Sequence, residues 1–357
     1  MDYNISYRNK DKSIQCIISY KDSDGKWRQK SKQGFKRQKD AKPWISDTVE
    51  KLEETIKTPS EFRGVTFGEF KEIFLRDKKR LSPNTIVIYK ESYNKFESLN
   101  DIPLVEIGYI NIKPCVDRMI DDKLSNSTIR LALTNLKTVL NHAIDKYDIM
   151  KTNPVKLKDY DLPKQGKKKK IKALNEHEVE GLLTRLDGRD YMISLIACKC
   201  GLRIGEIVGL KDISFDFKRG EIKISEQWKL MDEDRNYGFG TLKTNNSYRS
   251  VPIPSGCVKE IQDYVRDCVI GIDRRIFNDK NTKVTSVRLS QKYKRKGYNV
   301  SVHDLRHTYA TTLLLNGFDY RTVAELMGDT VEMIIKTYSH FIDDMMKNAK
   351  TRINKIL

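Results

Sequence analysis

The 357-residue chain contains no apolar run that approaches the roughly 20 residues of a membrane-spanning helix. Its first residues, Met1 to Asn4, lack the apolar segment of a signal peptide. The six cysteines are scattered and fit neither a disulfide framework nor a metal-site spacing, so we expect reduced, buried thiols. These absences favour a cytoplasmic protein without a membrane partner.

Signatures of nucleotide and metal chemistry are missing as well. The sequence has no Gly-x-x-x-x-Gly-Lys-Ser/Thr loop and no His-Glu-x-x-His pair. It also has no acidic cluster of the kind that holds magnesium. We therefore expect no cofactor and no metal ion.

The chain carries a large excess of positive charge: 67 Lys and Arg residues against 49 Asp and Glu residues give a net charge of +18. This excess favours a polyanionic partner, most simply DNA or RNA, because neutralised phosphates release counterions. A merely basic soluble enzyme is the alternative. The length indicates two or three domains, and a hydrophobic content of 38% is enough for ordinary cores.

Residues 1–57 are predicted to form a small basic sheet covered by one helix. The strands indicated by the sequence pattern are 5–8, 14–20 and 27–32. Asp24-Gly25 supplies a hairpin turn, and a helix over 38–56 carries Pro43 in its first turn. With 14 basic and 9 acidic residues, this segment could lay its strands, including Arg28 and Lys30, in a DNA groove. A basic interaction module of another kind is equally compatible.

Residues 62–161, after a linker at Thr58-Pro59-Ser60, are predicted to be almost entirely helical. Ser82 and Pro83 mark one helix start, with Thr85 in its first turn as a candidate DNA contact. A helix over 128–147 has an apolar face at Ile129, Leu133, Leu136, Leu140, Ala143 and Tyr147. Its opposite face carries candidate DNA contacts, for which a plain solvated face is the alternative: Arg130, Thr134, Lys137 and Asn141.

Residues 162–172 contain six lysines, one proline and one glycine, but no acidic residue. Such a run repels itself into an extended strap. The strap could cross a DNA backbone through Lys168 and Lys169, or it could be an ordinary solvated linker. The last segment, 173–357, is predicted to be mixed, mainly helical with a small sheet.

Three motifs in the last segment could carry chemistry. Arg203 and Glu206 share one helix face among apolar residues, which indicates either an anion site or an internal ion pair. His303 and Arg306 share another face near a helix start, where an anion is also favoured. Tyr338, taken alone, is typical of a packed aromatic residue.

Taken in order and with their spacing, these motifs resemble the tyrosine recombinase family. The four boxes that carry the resemblance are Gly201-Leu202-Arg203-Ile204-Gly205-Glu206, Lys243-Thr244 through Val251-Pro252-Ile253, His303-Asp304-Leu305-Arg306-His307, and Leu326-Met327-Gly328-Asp329 through Thr337-Tyr338-Ser339-His340. The first two segments look more loosely like the arm-site and core-site DNA-binding domains of phage and conjugative-element integrases. The implied fold is multidomain α+β: a three-stranded arm-binding domain, an all-α SAM-like domain, and a mainly α catalytic domain with a small β-sheet.

The resemblance implies a site-specific DNA recombinase that integrates or excises a mobile element through a covalent 3′-phosphotyrosyl intermediate, without metal or ATP. Tyr338 would be the nucleophile, and Arg203 and Arg306 would hold the phosphate oxygens. Lys243 would protonate the leaving 5′-oxygen, and His303 would take or share the proton of Tyr338. Glu206, named for a supporting role, would orient the arginine and the histidine.

Asp329 departs from the family pattern, because the family usually carries His or Trp at this position. A carboxylate cannot donate a hydrogen bond to phosphate unless it is protonated, and its charge repels the phosphate. We therefore expect Asp329 to turn away from the phosphate or to pair with a cation.

The partners implied are double-stranded DNA attachment sites with core and arm sites, and a homotetramer on synapsed DNA. A host DNA-bending protein and an excisionase are common in the family. An amphipathic helix predicted over 341–357 could dock on a neighbouring protomer or on its own domain. Two other functions stay open: a type IB topoisomerase-like relaxing enzyme, and a non-catalytic DNA-binding protein that retains the fold.

Overall fold

The computed structural model describes residues 2–10, 13–22, 26–57, 62, 64–163, 172–242 and 244–339, and for 53–57 the backbone alone. The chain divides into two compact units, Met1–Lys167 and Lys168–Leu357. Within the described ranges no helix has both the length and the apolar character needed to cross a bilayer.

The first unit begins with the predicted three-stranded antiparallel sheet, in the order β1-β2-β3. The strands are β1 Tyr3–Lys10, β2 Ser13–Lys21 and β3 Trp27–Phe35, followed by helix α1 Lys42–Lys57. The central strand β2 buries Cys16, Ile17 and Ile18, whereas most of β3 is exposed. Three strands and a helix are thus confirmed, and the predicted turn at Asp24-Gly25 lies outside the described residues.

Four further helices of this unit enclose one apolar core: α2 Phe67–Asp77, α3 Pro83–Tyr93, α4 Tyr109–Asp121 and α5 Asn126–Asp145. Helix α3 begins as predicted, with Pro83 at its first position and the Ser82 hydroxyl accepting a hydrogen bond from the Thr85 amide. The predicted apolar face of α5 is buried from Ile129 to Ala143.

The predicted helix extends two residues too far, although Tyr147 packs against the core as expected. Tyr147 lies beyond the end of α5, and its hydroxyl donates a hydrogen bond to Asp77. The same carboxylate also accepts a hydrogen bond from Lys146. The periodicity extended the helix too far because local spacing does not reveal this ion-paired contact with the end of α2.

The second unit consists of helices around two small sheets. Its helices are α6 Glu176–Leu183, α7 Gly188–Lys199, α8 Ile204–Val208, α9 Ser255–Asp267, α10 Thr282–Arg295, α11 Val302–Leu315, α12 Tyr320–Met327 and α13 Val331–Tyr338. Its strands are β4 Phe215–Asp216, β5 Glu221–Ile224, β6 Gln227–Leu230, β7 Tyr237–Gly240 and β8 Arg249–Pro252.

The two sheets of this unit differ in how well the sequence pattern predicts their strands. Strands β4, β5 and β8 pair antiparallel, and β5 and β8 bury Ile222 and Val251 against the core. Strands β6 and β7 form a separate antiparallel ribbon that sequence patterning missed. Every residue of that ribbon is half-buried, so it has no alternation of buried and exposed positions to recognise.

Helices α7 and α10 are joined by a charged contact at the buried carboxylate of Asp190. Arg288 donates two hydrogen bonds to it, at 2.7 and 2.8 Å, and Lys292 adds one at 2.9 Å. Burial alone would raise the pKa of Asp190, but these cations lower it to about 2.

We predict that Asp190→Asn lowers the free energy of unfolding by about 2 kcal/mol at neutral pH. Because the folded-state pKa is lowered, this contribution is present above the unfolded pKa of about 4 and is lost as the pH falls toward 2. Urea denaturation across this pH range measures it. Asp187→Asn is the matched control, because Asp187 bonds the same Lys292 with a 91% exposed side chain. Equal losses in both variants would contradict the role of burial.

Candidate active site

The sequence motifs of the second unit converge on one cavity of about 390 Å³. It is lined by residues from the start of α8, the β7–β8 connection, α11, the end of α12, the α12–α13 connection and α13. The chemically active side chains in its wall are Arg203, His303, Arg306, His307, Asp329 and Tyr338. Residues more than 130 positions apart in the sequence therefore line the same cavity.

Arg203 is held at the start of α8 by a local turn. Gly201 has a positive φ of 69°, and an added Cβ would lie 2.3 Å from the Tyr309 ring, so only glycine fits there. Arg203 then occupies the N-cap position, and its backbone N–H donates to Glu206 at 2.9 Å. Its guanidinium donates to the same Glu206 side chain at 2.9 Å and remains 31% exposed toward solvent.

The Glu206 carboxylate is 2% exposed and is surrounded by guanidinium groups. Arg249 donates to its two oxygens at 2.9 and 3.2 Å, and Arg306 lies 3.9 Å away. Burial would raise the pKa of Glu206, but the Arg249 hydrogen bonds and the three nearby positive charges lower it. The carboxylate is thus ionised and organises Arg203, Arg249 and Arg306 into one cluster.

Arg306 is the most deeply buried cation of the cavity, with 1% exposure. Its guanidinium donates to the backbone carbonyls of Gly201 and Met327 and to the Asp329 carboxylate at 2.7 Å. Burial and the charge of Arg203 lower the pKa of Arg306 to about 10, so it stays protonated at neutral pH. A fixed, desolvated cation of this kind is suited to binding an anion.

Asp329 pairs with two cations. Its carboxylate accepts hydrogen bonds from Arg203 and from Arg306, both at 2.7 Å. Of the two expected arrangements, turning away or pairing with a cation, the structure has the second. The carboxylate spans the two guanidiniums that were predicted to hold phosphate oxygens.

The Tyr338 side chain is 1% exposed at the end of α13. Its hydroxyl lies 2.6 Å from Nδ1 of His307, one helical turn after His303. His303, which the resemblance implies as the partner that takes or shares the Tyr338 proton, packs its ring edge-on against His307 with 4.5 Å between centroids. Both histidines lie on one face of α11, and only the position of α13 determines which of them bonds the Tyr338 hydroxyl.

The pKa values of Tyr338 and His307 are shifted in opposite directions. Burial raises the pKa of Tyr338, and Asp329 adds to the effect although Arg306 opposes it. Burial and the neighbouring His303 lower the pKa of His307 to about 4. At neutral pH the pair is therefore a neutral phenol hydrogen-bonded to a neutral imidazole.

Two of the residues that build the site were not named as site residues by sequence analysis: Arg249 and His307. Both lie inside recognised boxes, directly beside or a few residues from named positions, so the boxes were the available signal. Arg249 also donates to the Leu326 carbonyl at 2.8 Å and thereby ties β8 to the end of α12. Lys243 lies outside the described residues.

The candidate DNA contacts of the first two segments are distributed over different elements. Arg28 and Lys30 are exposed on β3, where Arg28 pairs with Asp22. Arg130 and Lys137 are exposed on α5. Thr85 is half-buried and bonded to Ser82, whereas Thr134 is exposed. Asn141 accepts a hydrogen bond from Asn153. Lys168 and Lys169 lie outside the described residues.

Metal ligation has no candidate in the part of the chain that the structure describes. No three His, Cys, Asp or Glu side chains come together there in a way that could hold a metal ion. The acidic residues of the cavity, Glu206 and Asp329, are instead engaged by arginines.

Comparison with known proteins finds matches for all three segments of the chain. Residues 172–344 match the phage integrase family, residues 4–52 match an arm DNA-binding domain, and residues 65–166 match the phage integrase SAM-like domain. A tyrosine recombinase XerC-like protein of Caldanaerobacter subterraneus subsp. tengcongensis is 28% identical over 331 residues, 83% of this chain and 84% of that protein. Tyrosine recombinase XerA of Pyrococcus furiosus is 27% identical over 283 residues, 76% of this chain and 89% of that protein.

Solved structures show the same fold. An integrase of the Tn1549 transposon, in complex with transposon right end DNA, aligns with a TM-score of 0.66 and 22% identity over 81% of this chain and 99% of that one. A lambda integrase tetramer bound to a Holliday junction aligns with a TM-score of 0.53 and 15% identity over 89% and 92%. The three domain matches and the recombinase relatives together show that the chain belongs to the tyrosine recombinase family. It is a tyrosine-type site-specific recombinase.

We predict that Glu206→Gln lowers the free energy of unfolding by about 3 kcal/mol, because it removes the only fully buried negative charge described in the arginine cluster. The urea midpoint of the purified protein measures this loss. Glu226→Gln is the matched control, since Glu226 pairs with Lys211 at a partly exposed site and should contribute under about 1 kcal/mol. A similar small shift in both variants would show that burial of Glu206 is unimportant.

Proposed function

We propose that Tyr338 attacks a scissile DNA phosphate held by Arg203 and Arg306, so that integration and excision of a mobile element proceed through a 3′-phosphotyrosyl link. The observation that carries this proposal is that both guanidiniums bond one anionic group, the Asp329 carboxylate, in the cavity that Tyr338 lines. Two donors that share a carboxylate can share the two non-bridging oxygens of a phosphodiester.

The charge of the cavity suits this substrate. Three arginines and two carboxylates leave one net positive charge among the described groups of the cluster: Arg203, Arg249, Arg306, Glu206 and Asp329. A phosphodiester carries one negative charge, and the transition state of its displacement carries more. Fixed guanidiniums in a desolvated site stabilise that extra charge, and each such contact is worth about 100- to 1,000-fold in rate.

Covalent capture explains how the reaction needs no nucleotide cofactor. The Tyr338 oxygen forms a bond to phosphorus while the bond to the 5′-oxygen breaks, and the new phosphodiester conserves the bond energy for resealing. We assign Lys243 as the acid that protonates the 5′-oxygen, as the family resemblance implies. His303, exposed beside Arg306 on α11, is assigned to the phosphate.

The remaining residues are assigned to recognition of DNA and assembly. We propose an arm-site domain over 1–57, a core-site domain over 62–161, a basic linker over 162–172 and a catalytic domain over 173–357. Exposed cations on β3 and α5 are available to phosphates. We further propose a homotetramer on two synapsed attachment sites in the cytoplasm, assisted by a DNA-bending protein and an excisionase. The lambda integrase tetramer on a Holliday junction supports the assembly.

Covalent adduct formation tests the nucleophile. On nicked duplex that carries an attachment site mapped by footprinting, in EDTA, the wild-type protein should form an adduct that survives denaturing electrophoresis. Tyr338→Phe should abolish it, because phenylalanine has no oxygen to bond to phosphorus. Tyr309→Phe, in the same buried cluster, is the control and should retain the adduct.

The outcomes separate the competing functions. Adducts without strand exchange between two sites would favour a relaxing enzyme, and specific binding without any adduct would favour a non-catalytic DNA-binding protein. An adduct that persists in Tyr338→Phe would show that another residue is the nucleophile.

A phosphate must displace the Asp329 carboxylate from at least one guanidinium before both can bind it. We therefore predict that Asp329→His forms the adduct at least as fast as the wild type, and at most about 100-fold faster, because it removes a competing charge and adds one donor. Initial rates at saturating DNA measure this change. Asp329→Ala, which only removes the charge, is the companion variant. A large loss in Asp329→His would reveal an essential role for the carboxylate.

A further inference from the structure

We propose that His307, rather than His303, accepts the proton of Tyr338 during attack. This inference rests on the proposed function of Tyr338 as nucleophile. Nδ1 of His307 lies 2.6 Å from the phenolic oxygen, within the range of a short hydrogen bond. It is the hydrogen bond that the structure records for the Tyr338 hydroxyl, and it contacts the reacting atom itself.

The surroundings of His307 fix its ring in this role. The side chain is half-buried on α11, its ring stacks edge-on against His303, and it lines the same cavity as Arg306. The ring centroids of His307 and Tyr338 are 5.6 Å apart. Burial and the neighbouring His303 keep the imidazole neutral at neutral pH, so that with its proton on Nε2 it presents a lone pair at Nδ1.

The timing of the proton transfer follows from the opposite pKa shifts of the pair. Because burial raises the pKa of the phenol and lowers that of the imidazole, the resting phenol stays protonated. As the Tyr338 oxygen bonds to phosphorus, its acidity rises steeply and its proton moves to Nδ1 of His307. The bond from phosphorus to the 5′-oxygen breaks, and that oxygen takes a proton from the assigned acid, Lys243. In resealing, the His307 proton returns to the Tyr338 oxygen.

The test separates activation of the nucleophile from activation of the leaving group. Two nicked duplexes that carry the mapped attachment site are compared, one with the natural 5′-oxygen and one with sulfur in its place at the scissile phosphate. A thiolate leaves without protonation, so the sulfur substrate should restore most of the rate lost in Lys243→Ala. It should not restore His307→Ala, which we expect to be at least about 100-fold slower on both substrates.

A conservative variant distinguishes proton transfer from positioning. His307→Asn can place its amide oxygen near the position of Nδ1 and accept the phenol's hydrogen bond, but it cannot take the proton. We expect it to remain at least about 100-fold slower than the wild type, at the lower end of the range for general-base catalysis. DNA affinity by gel shift and the thermal midpoint should stay near those of the wild type. His177→Asn, at an exposed histidine on α6, is the control and should retain full activity.

Each outcome bears on a different claim. Rates of His307→Ala and His307→Asn within threefold of the wild type would overturn the inference, as would recovery of His307→Ala on the sulfur substrate. Full activity of His307→Asn alone would reduce His307 to a positioning residue. No adduct from the wild type would instead remove the proposed function of Tyr338.

Discussion

The buried Glu206 carboxylate is the constraint on which the rest of the site depends. An ionised carboxylate at 2% exposure is stable only if cations surround it, and it draws Arg203, Arg249 and Arg306 to one point. These arginines come from the start of α8, from β8 and from α11. Arg249 and Arg306 also bond carbonyls at the end of α12, so the same charge fixes the approach to α13 and its tyrosine.

Asp329 balances this cluster from the solvent side. Glu206 neutralises the arginines from within, whereas the 31% exposed Asp329 side chain pairs with Arg203 and Arg306 where an external anion would bind. The position follows from Gly328, whose left-handed φ of 63° ends α12 and whose missing side chain leaves room for Arg249. The cavity therefore carries an anion of its own at the position where the resemblance implies a neutral donor.

The sequence predicted most of the fold and the identity of the boxes, because local rules govern them. Ser82 and Pro83 mark a helix start, and the three-residue spacing of Arg203 and Glu206 brings the two together as a capping pair at the start of α8. Contacts between different helices and strands could not be predicted from these local rules. The four-residue spacing of His303 and His307 puts both on one side of α11, but only the packing of α13, more than 20 residues later, selects His307 for Tyr338. The ribbon β6–β7 was missed because its residues are uniformly half-buried.

The charges around Tyr338 and its burial make the proposed nucleophilic attack conditional on bound substrate. A phenol whose pKa is raised by burial, beside an imidazole whose pKa is lowered by it, does not ionise by itself. In the proposed mechanism, a bound phosphodiester changes both halves of this balance: it brings an electrophile to the Tyr338 oxygen, and its negative charge favours the protonated His307 imidazole. Displacement of Asp329 would at the same time free the guanidiniums for the transition state. On the proposed mechanism, the DNA phosphate itself completes the active site.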